Sequence, residues 1–316
     1  MKKKSFSYNG MLLLMLLAVS IVMTVLSPYF LTKVNIRNIL NQTSTDLILS
    51  VGMTFVIISG NIDLSVGSVV GFSGMVISML INRGVSPLIA ILSGLATSML
   101  IGLLNGWLVA RLKINSFIAT LCTMTILRGM ILLITKSKTL FGFGSLVAFF
   151  GSGKTGPVNL PILLSFLLFL ISWVLLNRTS YGNYCLFLGA NESALTRCGV
   201  NAKKYKMLIF MFSALLAGIA GLIVLGKLDS AQPLAGQGYE MDAIAAVILG
   251  GTALEGGRGS VVGTMIACLL LNVLSNGLVL LSVSTHYQEI ITGVIIILSV
   301  LLSERNRKAK NAAVLK

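Results

Sequence analysis

The chain has 316 residues, of which 56% are hydrophobic and only 10% charged, and its mean hydropathy is +0.95. A soluble domain carries roughly 25% charged residues, so one water-facing globule is excluded. The formal net charge of +15 would point to nucleic acid in a soluble protein; here it fits basic residues gathered in cytoplasmic loops, and no nucleic-acid partner is expected. Apolar runs of about 20 residues recur from end to end, each long enough to span a bilayer as a helix. The expected fold class is an all-α polytopic membrane protein lying in the lipid bilayer. The ~10-residue alternation of a β-barrel is absent. The 32 glycines suit close helix packing in lipid.

In chain order, Lys2, Lys3 and Lys4 precede an apolar run from Met11 to Leu26. No small-x-small cleavage site closes it, so it reads as a retained first helix with its N-terminus in the cytoplasm. Ten crossings are expected, at 9–30, 46–60, 62–81, 87–110, 115–135, 160–177, 207–227, 241–256, 259–282 and 286–303. They divide the chain into a cytoplasmic tail (1–8), one transmembrane domain (9–303) and a basic cytoplasmic tail (304–316). Of the 24 Lys and Arg residues, sixteen then lie inside and seven outside, with Arg128 within a span. That bias supports N-in, C-in. The longest inside loop covers about 178–206 and the longest outside loop about 136–159.

Two stretches interrupt their apolar runs. In GMTFVIISGNIDLSVGSVVGFSG, Gly52 to Gly74, the break holds Gly60, Asn61, Asp63 and Ser65. A broken helix at membrane depth needs protein or a water-filled cavity to satisfy its backbone, and transporters place such breaks beside their pathways. Asp63 costs roughly 2.5–3.5 kcal/mol at a helix centre; it reads as an N-cap for the next helix, as a pathway residue, or as both. The second stretch, Asp242 to Leu278, again runs apolar, Gly-rich, then apolar. A shift of 192 residues lays Gly67-Ser-Val-Val-Gly71 on Gly259-Ser-Val-Val-Gly263 and Asp63 on Glu255. The pair reads as a diverged internal repeat or as a coincidence among small residues. Asn61, Asp63, Ser65, Arg128, Asp242 and Glu255 are the candidate pathway residues. Arg128 either snorkels outward or pairs with an acid such as Asp63 or Asp242.

Other signals are weaker. The inside loop holds a short helix-forming piece after Asn191, bounded by Gly189 and Gly199, which suits a docking helix or an ordinary positive-inside loop. Cys122, Cys185, Cys198 and Cys268 form no CxxC pair and read as small buried residues rather than metal ligands. His286 reads as a surface histidine rather than a proton relay. GSGKT, Gly151 to Thr155, resembles the tail of a phosphate-binding loop, yet the position required to be its first glycine is Ala148. No ATP site, cofactor or metal is expected in this chain.

Several of these stretches, with NSFIATLCTMTILRGMILLIT, SAQPLAGQGYEMDAIAAVILGGTALEGGRGSVVGT, NGLVLL and YGNYCLFLGANESALTRCGVNAKKYK, together resemble the membrane permeases of ribose, xylose and galactose ABC importers. The matches keep that family's order from about Thr32 to the last helix. The resemblance implies a binding-protein-dependent monosaccharide importer of the bacterial plasma membrane. Two permease subunits would form the path, separate cytoplasmic ATPase subunits would bind ATP, and an extracytoplasmic sugar-binding protein would deliver cargo. The segment with Gly189, Asn191, Glu192, Ala194 and Gly199 is similar to the family's ATPase-coupling segment. Asn61 stands where glycine is commoner in the Gly-Ile-Asp-Leu-Ser pattern, and Cys198-Gly199-Val200-Asn201 replaces Ser-Gly-Ile-Asn. Both departures leave the cargo open among sugars, autoinducer-2, nucleosides and branched-chain amino acids. An ion-coupled secondary transporter is the rival of another class.

Overall fold

A computed structural model describes residues 8–284 together with Tyr287, Ile290, Ile291, Gly293, Val294 and Ile297. Most of the span expected over 286–303, His286, the basic tail 304–316 and residues 1–7 lie outside the described residues. The described residues form α1 (Tyr8–Leu26), α2 (Lys33–Ile58), α3 (Val66–Asn82), α4 (Pro87–Ala110), α5 (Ser116–Thr135), β1 (Leu140–Phe141), α6 (Gly144–Ser152), β2 (Lys154–Thr155), β3 (Val158–Asn159), α7 (Leu160–Arg178), α8 (Ser180–Arg197), α9 (Ala202–Leu228), β4 (Ser230–Ala231), α10 (Tyr239–Leu249) and α11 (Val261–Leu280). The strands pair antiparallel as β1–β4 and β2–β3. Six of these helices, α1, α4, α5, α7, α9 and α11, are long and apolar enough to cross a membrane. Their outer faces expose large apolar side chains, among them Ile21, Leu100, Leu133 and Leu167. A water-soluble monomer rarely presents such continuous apolar surface, so the chain is a polytopic helical membrane protein.

α3, α4, α5 and α7 begin and end within four residues of the expected spans. Three expectations need correction. The second span, expected over 46–60, belongs to α2, which starts at Lys33; its early turns carry Asn35, Asn38, Asn41 and Gln42, and this polarity hides the helix from a hydropathy reading. The eighth, expected over 241–256, contains only the 11-residue α10, about 16 Å long against a hydrocarbon core of about 30 Å. The two long loops are themselves structured: α8 fills most of the inside loop, while α6 and the β2–β3 hairpin fill the outside one. GSGKT closes α6 and enters β2, the reverse of the strand–loop–helix order of a phosphate-binding loop. Two cysteines also depart from expectation, since Cys122 and Cys198 are exposed while Cys185 and Cys268 are buried.

α9 is the hub, packing on α2, α3, α4 and α6. Small residues permit this. Gly102 and Gly106 of α4 lie against the backbone at Phe210 and Met207, Gly218 meets Ser98, and Gly226 meets Gly151. Without a hydrophobic drive between helices in lipid, such contact supplies the packing energy. α2 runs antiparallel to both α9 and α11: Gly52 lies beside Ser213, Lys227 bonds the Asn41 carbonyl, and Asn35, Asp46 and Thr54 bond Asn276, Asn272 and Thr264 in turn. The bundle therefore has two ends. One carries α6, the starts of α2 and α4 and the ends of α9 and α11. The other carries α8, the ends of α2 and α4 and the starts of α5, α9 and α11.

Candidate coupling and translocation site

At the α8 end the chain breaks twice. α2 stops because Gly60 takes φ +75°, a left-handed conformation that glycine adopts without steric cost. Gly60 N donates to the Ile57 carbonyl at 2.9 Å and Asn61 N to the Val56 carbonyl at 3.1 Å, the two bonds of a Schellman cap. α10 stops the same way: Gly251, φ +88°, donates to the Ile248 carbonyl and Thr252 N to the Val247 carbonyl. α3 and α11 then run back toward the α6 end. The two breaks meet, with Gly257 N donating to the Ile58 carbonyl at 2.8 Å. Glu255, expected to match Asp63 by the 192-residue shift, is exposed in the second break, and its carbonyl lies beside Gly60.

Asp63 is 1% exposed. Its Oδ1 accepts from Ser65 N at 2.9 Å and from Ser65 Oγ at 2.6 Å. This is an Asx turn just ahead of α3, whose N-cap is Ser65, so Asp63 is not the helix cap that the sequence suggested. The network continues outward: Asn105 Nδ2 donates to Ser65 Oγ at 2.9 Å, and Thr123 Oγ1 donates to Asn105 Oδ1 at 2.6 Å. Ser116 and Thr120 of α5 accept the broken backbone's Ile62 and Leu64 N–H groups at 3.1 Å each. The break is therefore satisfied by side chains from α4 and α5, as irregular backbone in a membrane requires. Sequence reasoning missed Asn105 and Thr123, whose signal was a polar pair within otherwise apolar helices. Asn61 is buried and donates to Ser59 O and Oγ at 3.0 Å each. It borders a cleft of about 840 Å³ that also touches Lys113, Ser116, Glu192 and Lys206.

α8 is two helices joined at Asn191, whose φ of −164° and ψ of 93° lie outside the helical region. The Asn191 Oδ1 accepts from Ala194 N at 2.9 Å, an N-cap that starts the short piece 192–197. Gly199, φ +82°, ends it, with Gly199 N donating to the Thr196 carbonyl and Val200 N to the Leu195 carbonyl. Glu192, Ala194 and the rest of this piece are exposed, except for Leu195, its buried anchor. Glu192 pairs with Lys206 at 2.7 Å. The first piece of α8 is held by rings: Tyr181 lies 5.9 Å from Phe55 of α2 and 6.2 Å from Tyr205 of α9. Burial raises the Tyr181 phenol above its ordinary value, so it stays neutral.

The decisive contact is at Gly189. A Cβ there would lie 2.0 Å from the Ile58 carbonyl oxygen, 2.4 Å from Gly257 N and 2.9 Å from Gly256 Cα. The α8 backbone is therefore seated directly on both breaks. Ala190 touches Gly257, and Gly60 touches Gly256. The backbone just ahead of the exposed piece 192–197 thus touches both helix breaks.

Arg128 and Asp242 lie elsewhere. The Arg128 Nη1 donates to the Ala235 carbonyl at 2.7 Å, and its acidic neighbour is Glu240 rather than Asp63 or Asp242. Gly67 makes room for the Glu240 carboxylate, and Gly71 leaves room for Arg128. Asp242 borders a separate polar cavity with Asp46 and Asn272. Glu240, Asp46 and Asn272 were not singled out in the sequence.

The chain is 42% identical over 299 residues to the "Ribose import permease protein RbsC" of Escherichia coli (strain K12), covering 93% of each chain. It is 38% identical over 280 residues to the "D-allose transport system permease protein AlsC" of the same strain, covering 88% of this chain and 86% of that one. It is 34% identical over 315 residues to the "L-arabinose transport system permease protein AraH", also of that strain, covering 98% and 95%. No solved structure matches. Residues 35–300 match the family described as "Branched-chain amino acid transport system / permease component", and to that family the chain belongs.

Proposed function

We propose that this chain is the permease subunit of an ATP-driven importer that carries a monosaccharide across the bacterial plasma membrane by alternating access. The α8 end faces the cytoplasm, ten segments cross the bilayer, the eighth of them made of the short α10 and the irregular chain beside it, and both termini lie inside. The short helix 192–197 receives a separate ATPase subunit, a second permease subunit completes the path, and an extracytoplasmic sugar-binding protein docks on the α6 end. The observation that carries this reading is the seating of Gly189 on both helix breaks, beside a capped and exposed helix. Such a lever gives an ATPase a mechanical hold on the path without any nucleotide site in this chain. ATP and the loaded binding protein act by favouring different states of the bundle. The ribose, allose and arabinose in the relatives' names support a sugar over the amino acids in the family's description.

The test is reconstitution in proteoliposomes with the partner ATPase and binding protein. D-Ribose, D-allose, L-arabinose and L-leucine are each offered with ATP inside. ATP-dependent uptake of one of the sugars is the expected result. Uptake of leucine alone would overturn the cargo, and uptake driven by an ion gradient without the ATPase would overturn the mechanism.

A further inference from the structure

α2 combines burial with polarity. Its residues Asn41 to Asp46 read NQTSTD, and Thr43, Ser44 and Thr45 are buried. Polar groups at membrane depth need partners or water, and here α9 and α11 supply them. The Lys227 Nζ donates to the Asn41 carbonyl, to Thr45 Oγ1 at 2.8 Å and to Ser44 Oγ at 3.3 Å. Asn272 Nδ2 donates to Asp46 Oδ2 at 2.8 Å. Thr45, Asp46, Lys227 and Asn272 border a cavity of about 300 Å³, whose wall also includes Gln42, Tyr239, Asp242 and Ser275 and the apolar Val224 and Leu228. Through Gln42 and Lys227 it adjoins a space of about 340 Å³ edged by Asn35, Asn38 and Asn276. Through Asp46, Asp242 and Asn272 it adjoins a smaller one, of about 100 Å³, beside Cys268. A shaft of adjoining cavities, its wall part polar and part apolar, thus leads from the α6 end down to Asp46, about 20 Å along α2.

We propose that this shaft is a transient binding station for a polyhydroxylated cargo of monosaccharide size, an inference that rests on the importer reading above. Every sugar hydroxyl both donates and accepts. Asp46 and Asp242 accept, Lys227 donates, and Gln42, Asn272 and Ser275 do both. Tyr239 adds an aromatic face for the C–H side of a ring. The volume sits at the low end of small-ligand sites. Lys227 places a basic nitrogen in the wall beside the carboxyl groups of Asp46 and Asp242. Because Asp46, Asn272 and Lys227 already bond one another or α2, a sugar exchanges hydrogen bonds rather than adding them, and the net gain stays small. A station on a path needs that balance, since cargo must enter and also leave.

The test labels the rim of the shaft. In the full transporter in membrane vesicles, Ser275→Cys is introduced with the exposed Cys122 and Cys198 replaced by serine, and reaction with a water-soluble maleimide is timed. The expected result is slower labelling in saturating D-ribose, D-allose or L-arabinose, by about tenfold at ten times Kd. Asp46→Asn and Asn272→Ala should each abolish that protection while labelling without sugar continues. Unprotected labelling in all three sugars, in vesicles that take up one of them with ATP, overturns the station and leaves the importer reading standing. Protection by L-leucine instead overturns both. Should Asp46→Asn fail to insert, protection of Ser275→Cys itself still decides.

Discussion

Gly189→Ala tests the mechanical link between α8 and the helix breaks. The added methyl meets three backbone atoms, at 2.0, 2.4 and 2.9 Å, where comfortable carbon contact begins near 3.5 Å. No rotamer change relieves backbone, so α8 must lift by about 1.5 Å or the two breaks must part. Overpacking of this kind costs about 1–3 kcal/mol. Parting the breaks also strains the Gly257–Ile58 bond, and orphaning its buried groups costs about 1–3 kcal/mol more. Even 1.4 kcal/mol falling on one access state shifts the equilibrium about tenfold. In proteoliposomes with the ATPase and binding protein, ATP-dependent uptake should fall at least about tenfold, and sugar moved per ATP should fall with it. Gly129→Ala is the control, because nothing lies within 4 Å of a Cβ there, and alanine in a helix interior gains up to about 1 kcal/mol over glycine; its uptake should be normal. Wild-type uptake, wild-type coupling and an unchanged Tm for Gly189→Ala would refute the lever.

Asp63→Ala removes both Ser65 bonds and should lower thermal stability by about 1–3 kcal/mol together with uptake, whereas Asp63→Asn, which keeps an acceptor oxygen, should retain most of both; unchanged uptake and Tm in the alanine variant would remove Asp63 from the site. Glu192→Ala breaks only an exposed ion pair, worth less than about 1 kcal/mol, so Tm should hold while stimulation of the ATPase by the loaded binding protein is lost. Wild-type stimulation would count against docking at 192–197. Gly199→Ala forces alanine to φ +82°, a strain of roughly 1–2 kcal/mol, and should weaken ATPase stimulation in the same assay. Asn105→Ala removes one bond each from the Ser65 and Thr123 hydroxyls, which keep their bonds to Asp63 and to the Ala119 carbonyl, and should destabilise by about 0.5–1.5 kcal/mol per lost bond, read as a lower Tm in detergent.

The bundle was legible where hydropathy and length carry the signal, as in α4 and α7, whose apolar runs end at basic or turn residues. It was illegible in the first half of α2, because polar residues buried against Lys227 and Asn272 look like a loop until those distant partners are known. The breaks were legible from Gly60-Asn61-Ile62-Asp63 and from the Gly250–Gly257 stretch, since glycine is what a left-handed cap requires. Their meeting with Gly189 was not, because three glycines far apart in sequence carry no mark of contact. Arg128 shows the same limit: its partners, the Ala235 carbonyl on the connection that dips between α9 and α10 and Glu240 in the first turn of α10, are not revealed by a linear pattern.

The polar half of α2 also bears on how the protein is made. Thr45 waits for Lys227, 182 residues later in the chain, and Asp46 for Asn272, 226 residues later. At roughly 5–20 residues per second, the interval before Lys227 emerges is about ten to forty seconds. During that time α2 lacks the partners that make lipid tolerable for it. The second helix of the chain is thus among the last to settle, and a ribosome stalled before α9 leaves behind a fragment for membrane quality control to recognise by its unpartnered asparagines, threonines and aspartate.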